Sequence, residues 1–196
     1  MTCLLLAIVL AQGNAPDSVV YSISPATTFE VTTGKSGLFG FAGHEHTIRA
    51  RAFSGRVVYR PDTVAASRVE ITVLTDGLEV LTPPDTEEIR KVTAAMRTGV
   101  LDVANYPEIR LVSKRITGDA RHLEMTAALT IKGQTREVPV TVVLEIDGDT
   151  LRASSSFAIK QTDFGIRPYR GGPAGTVRVA DRVTFSIKAV AIRQSP

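Results

Sequence analysis

Tryptophan is absent, cysteine occurs once, and only 6% of the residues are aromatic. Low aromatic content argues against a surface on which nucleic-acid bases stack. The positive excess is small, 23 basic against 20 acidic residues, and no Lys/Arg stripe gathers it on one segment, which leaves nucleic-acid binding without support. No apolar run reaches the roughly 20 residues that span a bilayer as a helix. Neither an internal repeat nor a low-complexity linker divides the chain, so its 196 residues read as one domain with enough chain for a proper core.

The longest apolar run, residues 4–11, is followed by Gln12, Gly13, Asn14, Ala15 and Pro16. An apolar stretch ending in small residues has the form of an export signal, although no Lys or Arg precedes it. Residues 1–15 are therefore expected to be a signal peptide and 20–193 the folded domain. The lone Cys3 lies within that segment, so its removal leaves neither thiol nor disulfide.

From Val20 onward the apolar residues recur every second position, the strand period. Phe29 and Val31 alternate with Thr28, Glu30 and Thr32; Val69, Ile71 and Val73 with Arg68, Glu70 and Thr72. The same alternation runs through residues 123–131, 138–146, 151–159 and 183–189. Asp147-Gly148, Lys132-Gly133 and Thr117-Gly118 fall between these runs as hairpin turns. One stretch departs from the pattern: Ile89, Val92 and Met96 sit near helical spacing, predicting one short helix near 86–98 within a long connection. The expected fold is mainly β, a single antiparallel barrel of about eight strands; closure removes the adhesive edges of such a sheet. Small residues on the inferred inner face (Ala50, Ala52, Ser113, Ala127, Ala153, Ser155, Ala189) leave room at its centre.

Chemistry-bearing motifs are few. In Gly43-His44-Glu45-His46, the two histidines lie two apart and so share the inner face of a strand. The parity switches after Ala52, implying a bulge near Ser54-Gly55. Two inward imidazoles suit zinc, copper or iron, but no third ligand accompanies them, and His122 has outward parity. No Gly-x-Ser-x-Gly elbow is present. Gly171-Gly172-Pro173-Ala174-Gly175-Thr176 lacks the ending of a phosphate loop and reads as a solvent loop. Thr162-Asp163-Phe164-Gly165 reads as a turn that tucks Phe164 inward.

Four blocks in order carry a resemblance: YSISPATTFEVTT with GFAGHEH; VLDVANYPEIRLVS; LTIKGQTREVPVTV; and QTDFGI with VADRVTFSI. Together they resemble the YceI-like family, the lipid- and polyisoprenoid-binding domain of bacterial exported proteins, over nearly all of residues 21–192. The chain has Gln161-Thr162 where that family often has Arg or Asn, and Tyr21 where a Trp is expected. The resemblance implies a lipocalin-like extended barrel, periplasmic or secreted, with an apolar pore for an amphiphile such as a polyisoprenoid, an isoprenoid quinone or a fatty acyl chain. It implies a binding protein without a cofactor, not an enzyme; a homodimer stays open. The expected wall residues are Phe29, Val31, Phe53, Ile71, Met125, Val142, Phe157, Phe164 and Phe185, with His44 and His46 toward a headgroup. The alternatives are a metal-dependent enzyme using His44 and His46, and a filled, stress-related barrel that binds nothing.

Overall fold

The computed structural model describes residues 18–36, 45–81, 86–171 and 177–195; His44, residues 1–15 and most of the glycine-rich 171–176 stretch lie outside them. Twelve strands follow in chain order: β1 (Val19–Ile23), β2 (Thr28–Ser36), β3 (His46–Ala50), β4 (Phe53–Tyr59), β5 (Arg68–Leu74), β6 (Leu78–Val80), β7 (Glu108–Gly118), β8 (His122–Ile131), β9 (Gln134–Asp147), β10 (Thr150–Lys160), β11 (Arg170–Gly171) and β12 (Val177–Arg193). The single α-helix among the described residues, α1 (Thr86–Ala95), continues into a π-helical turn at Met96–Val100.

The first six strands are three bent strands. β1 pairs with β4 while β2 pairs with β3; β4 then pairs with β5 while β3 pairs with β6. From β5 the sheet meanders antiparallel through β7, β8, β9 and β10 to β12. One edge of β12 follows β10 throughout; the other follows β2 and then β1, where Tyr21↔Arg193 and Ile23↔Ala191 close the circle. The closed ring is β1, β4, β5, β7, β8, β9, β10 and β12, an eight-stranded antiparallel barrel with one short helix. Among the described residues, no helix is long and apolar enough to cross a membrane.

Each bend has a local cause. Between β1 and β2, Pro25 has no N–H to add to a ladder, and Thr27 takes over. Its hydroxyl donates to the Val190 carbonyl and accepts the Val190 N–H, both at 2.9 Å. A side chain thus bridges the step where β1 gives way to β2. Thr27→Val is expected to cost about 1–3 kcal/mol, because the Val190 amide is left without a partner. Urea denaturation checks this; a Thr27→Val protein no less stable than Thr27→Ser, which keeps the hydroxyl, would refute it.

The parity switch of the second bent strand lies earlier than the sequence suggests. Ala50 ends β3 buried and Phe53 opens β4 facing inward, with Arg51 and Ala52 as the link, so no bulge at Ser54-Gly55 is needed. The Arg51 N–H donates to the Gly77 carbonyl (2.8 Å) and the Leu74 N–H to the Ala52 carbonyl (2.9 Å). Neighbouring bends are therefore stitched to each other, a pairing that no one-dimensional pattern contains.

Of the turns, Lys132 and Gly133 both have positive φ (50° and 71°) and close the two-residue hairpin between β8 and β9. After β10, a 3-10 turn (Gln161–Phe164) buries Phe164 at 1% exposure. It is held to the irregular step of β12 between Val179 and Val183. The Thr162 N–H and hydroxyl both donate to Asp181, at 2.9 and 2.8 Å, and the Gln161 amide donates to the Ala180 carbonyl at 2.8 Å. The Thr162 backbone donor is the main reason the Asp181 carboxyl titrates below its ordinary range.

Candidate functional site

The alternating apolar residues fill the barrel's wall and leave its middle open. Two voids lie in series inside the ring, an outer one of about 70 Å³ and a deep one of about 90 Å³. The outer one is lined from β2, β3, β5, β6, β7, β8, β10 and β12; the deep one lies toward Tyr59, Leu123, Leu144 and Leu151. Ile71, Leu111 and Ile187 line both. Ile71 and Leu111 are cross-strand partners, and β12, which carries Ile187, stands on the opposite side of the ring. These three side chains form a collar between the voids.

Both chambers present hydrocarbon. Ser67 and Ser155 border the deep one, but their oxygens are turned into the wall: Ser67 accepts the Arg60 N–H at 3.0 Å and Ser155 donates to the Thr141 carbonyl at 2.7 Å. Glu30 borders the outer one, with its carboxylate held by Arg49 Nη2 at 2.6 Å and Nε at 2.9 Å. Such a wall exposes almost no polar surface to either chamber. What it can do is take an apolar chain out of water, worth roughly 0.8 kcal/mol per methylene before ordering costs.

A tyrosine borders the deep end. Tyr59 lines it at 7% exposure, Tyr21 is buried nearby at 3%, and burial with Tyr21 close by pushes the Tyr59 phenol above its ordinary range. The 3-10 segment Pro61–Ala66 packs against β7, with Val64 set on the main core. At the opposite end, α1 leans on β6; Ile89 and Val92 pack on the core, while Met96, Leu101, Phe164 and Ile166 are buried there.

The structure places the expected wall residues unevenly. Phe29, Val31, Phe157 and Phe185 line the outer void, Ile71 both, and Met125 and Val142 the deep one. The Phe157 and Phe185 rings are stacked with centroids 5.0 Å apart. Phe53 is one layer removed, edge-on to Phe29 at 5.0 Å. Phe164 belongs to the solid core under the 3-10 turn and lines neither void. His46 is buried on the inner parity of β3, with its N–H donated to Thr33 Oγ1 at 3.2 Å, but it does not border either void. His44 lies outside the described residues.

The expected wall residues did not include Leu111 and Ile187, which line both voids, whereas Ala153 and Ala189, expected on the inner face as small residues, do border the deep one as a facing pair. Their signal was the same period of two; what was missing was which strands stand opposite. His122 is exposed, as its parity implies, beside Asp119, whose carboxylate accepts the N–H groups of His122 and Arg121 at 2.7 Å. The described residues hold no group of three His, Cys, Asp or Glu arranged for a metal ion.

Comparison with known proteins follows this geometry. The family model of the YceI-like domain matches residues 21–191. Burkholderia cenocepacia BcnA is similar in structure at a TM-score of 0.68, with 20% identity over 86% of this chain and 98% of its own. A polyisoprenoid-binding domain from Saccharophagus degradans, implicated in plant cell wall breakdown, reaches 0.65 with 12% identity over 89% and 98%. The Campylobacter jejuni YCEI protein reaches 0.58 with 14% identity over 76% and 85%. At these identities the likeness is one of fold. No curated protein sequence matches the chain.

Proposed function

The chain belongs to the YceI-like family, and from that premise we propose that it is a carrier for an amphiphilic lipid whose apolar chain lies in the barrel. The observation that carries this reading is the unfilled lumen, whose exposed lining is almost wholly apolar. A barrel built for stability alone gains by filling its centre, since each void forfeits packing contacts along its lining. Here the β10–β12 pair places Ala153 opposite Ala189 at the deep void, where larger side chains would close it. The Saccharophagus degradans domain, described as polyisoprenoid-binding, has the same fold and supports an isoprenoid or similarly linear chain. On this reading Phe29, Val31, Ile71, Met125, Val142, Phe157 and Phe185 contact the ligand, residues 1–15 direct export, and the barrel works in the periplasm or beyond it.

The test is direct. Protein purified without detergent from the cells that make it should release a lipid on solvent extraction, at up to one molecule per chain, seen also as a mass increment in native mass spectrometry. Protein that arrives empty and takes up neither farnesol nor palmitate added in excess is not a lipid carrier.

A further inference from the structure

Resting on that reading, since a carrier of a water-insoluble lipid meets a bilayer to load or deliver it, we propose that residues 167–170 dock the barrel on the headgroups of an anionic lipid bilayer. The side chains of this tip suit a membrane interface. Tyr169 is 45% exposed and is the only exposed aromatic residue among the described ones. A phenol joins an apolar ring to a terminal hydroxyl, the combination that settles at the headgroup level of a bilayer. Arg167 and Arg170 flank it, both exposed, and neither has an ion-pair partner among the described residues. A guanidinium matches phosphate geometry and is weakly hydrated, so it loses little on meeting a headgroup.

The backbone presents the tip already ordered. At its base the buried Ile166 donates its N–H to the Gln161 carbonyl at 3.1 Å. The Tyr169 carbonyl accepts the Val179 N–H at 3.0 Å, and β11 then pairs with β12. Pro168 fixes one torsion between these anchors, so docking has little order left to impose. Positive charge continues below the tip. Lys160 and Arg182 stand directly opposite each other on β10 and β12, both exposed, and like charges in that register repel. Asp181 is the carboxylate beside them, but Thr162 already donates to it at 2.9 and 2.8 Å. Lys160, Arg167, Arg170 and Arg182 thus outnumber Asp163 and Asp181 around one turn, an excess that an anionic surface relieves. Phe157 and Phe185, which line the outer void, lie on the same two strands close to Lys160 and Arg182. Docking here brings the outer void nearer the bilayer than the deep one.

The experiment measures co-sedimentation of the full chain with phosphatidylcholine vesicles, with and without phosphatidylglycerol. The apolar run 4–11 is common to every variant and cancels from the comparison. Wild type should bind the phosphatidylglycerol vesicles more tightly, and less so as salt rises. Arg167→Gln/Arg170→Gln should weaken that binding by about tenfold or more. Arg115→Gln/Arg121→Gln removes the same charge from exposed positions at the other end of the barrel and should stay within about twofold of wild type. Tyr169→Ser should weaken binding by about threefold or more, because the ring enters the interface. No preference for phosphatidylglycerol, a tip variant that binds as wild type, or equal losses from the two ends overturns docking. Unchanged binding by Tyr169→Ser would mean a site for an anion and not for a bilayer, which overturns it too. The carrier reading fails separately: protein that binds vesicles yet releases no lipid on extraction refutes that reading alone, and protein that releases lipid yet ignores vesicles refutes docking alone.

Discussion

Phe164→Ala should lower the unfolding free energy by about 3–5 kcal/mol, the range for emptying a buried aromatic site. The ring is 1% exposed, joins the main core, and sits on a 3-10 turn packed against β9, β10 and β12. Its turn cannot collapse into the space, because Gln161 and Thr162 are tied to Ala180 and Asp181 by three hydrogen bonds. In a domain of this size the loss corresponds to a fall in Tm of roughly 6–20 °C. Asp163, one residue earlier, is exposed, so Asp163→Ala should stay within about 0.5 kcal/mol of wild type. Thermal and urea unfolding of both variants decide the matter. Comparable losses in the two would mean that the turn acts through its carboxylate and not through the buried ring.

A second large effect is expected at Gly118, which ends β7 with φ of +112°. A Cβ there would stand 2.1 Å from the His122 carbonyl oxygen and 3.1 Å from the Leu123 Cα. Both are backbone atoms of the hairpin itself, fixed further by Asp119, whose carboxylate takes the Arg121 and His122 N–H groups. Strain and clash therefore add, and Gly118→Ala should cost about 2–5 kcal/mol. Gly148 supplies the control: its φ is +55°, but nothing lies within 4 Å of its added Cβ. Gly148→Ala should cost only about 1 kcal/mol, the conformational part alone. Denaturation midpoints measured side by side separate the contributions, and equal costs would remove the clash from the account.

The strands from β7 onward were largely legible from residue order. Inward Leu123, Met125, Ala127, Leu129 and Ile131, or Leu151 and Ile159, are buried where alternation places them, because a long strand with one wet face repeats its pattern many times. The bent strands were not. β6 is three residues long, and the links at Ser24–Thr27 and Arg51–Ala52 are set by hydrogen bonds to Val190, Gly77 and Leu74, residues distant in the chain. The helix was legible near its observed start, while its continuation as a π turn from Met96 to Val100 was not. For the lumen, the wall's apolar character could be read, and so could several of the residues bordering it. The collar could not: Ile71, Leu111 and Ile187 look like any other core positions until the ring sets β12 across from β5 and β7. Phe164 misled because an inward aromatic has the same signature whether it borders a void or fills one.

β12 borders β10, β2 and β1 in turn, and its pairing with β1 joins Tyr21 to Arg193. The first and last strands of the circle are thus knit by contacts spanning nearly the whole chain, the class of pairing that forms slowly. While the polypeptide is being synthesised, the edges of β1, β2 and β10 that β12 will cover have nothing to pair with. Circularisation must await the final segment, and until then these bare edges invite association with other chains. Holding the incomplete sheet apart from its neighbours during that interval is a task for chaperones, whatever the finished barrel carries.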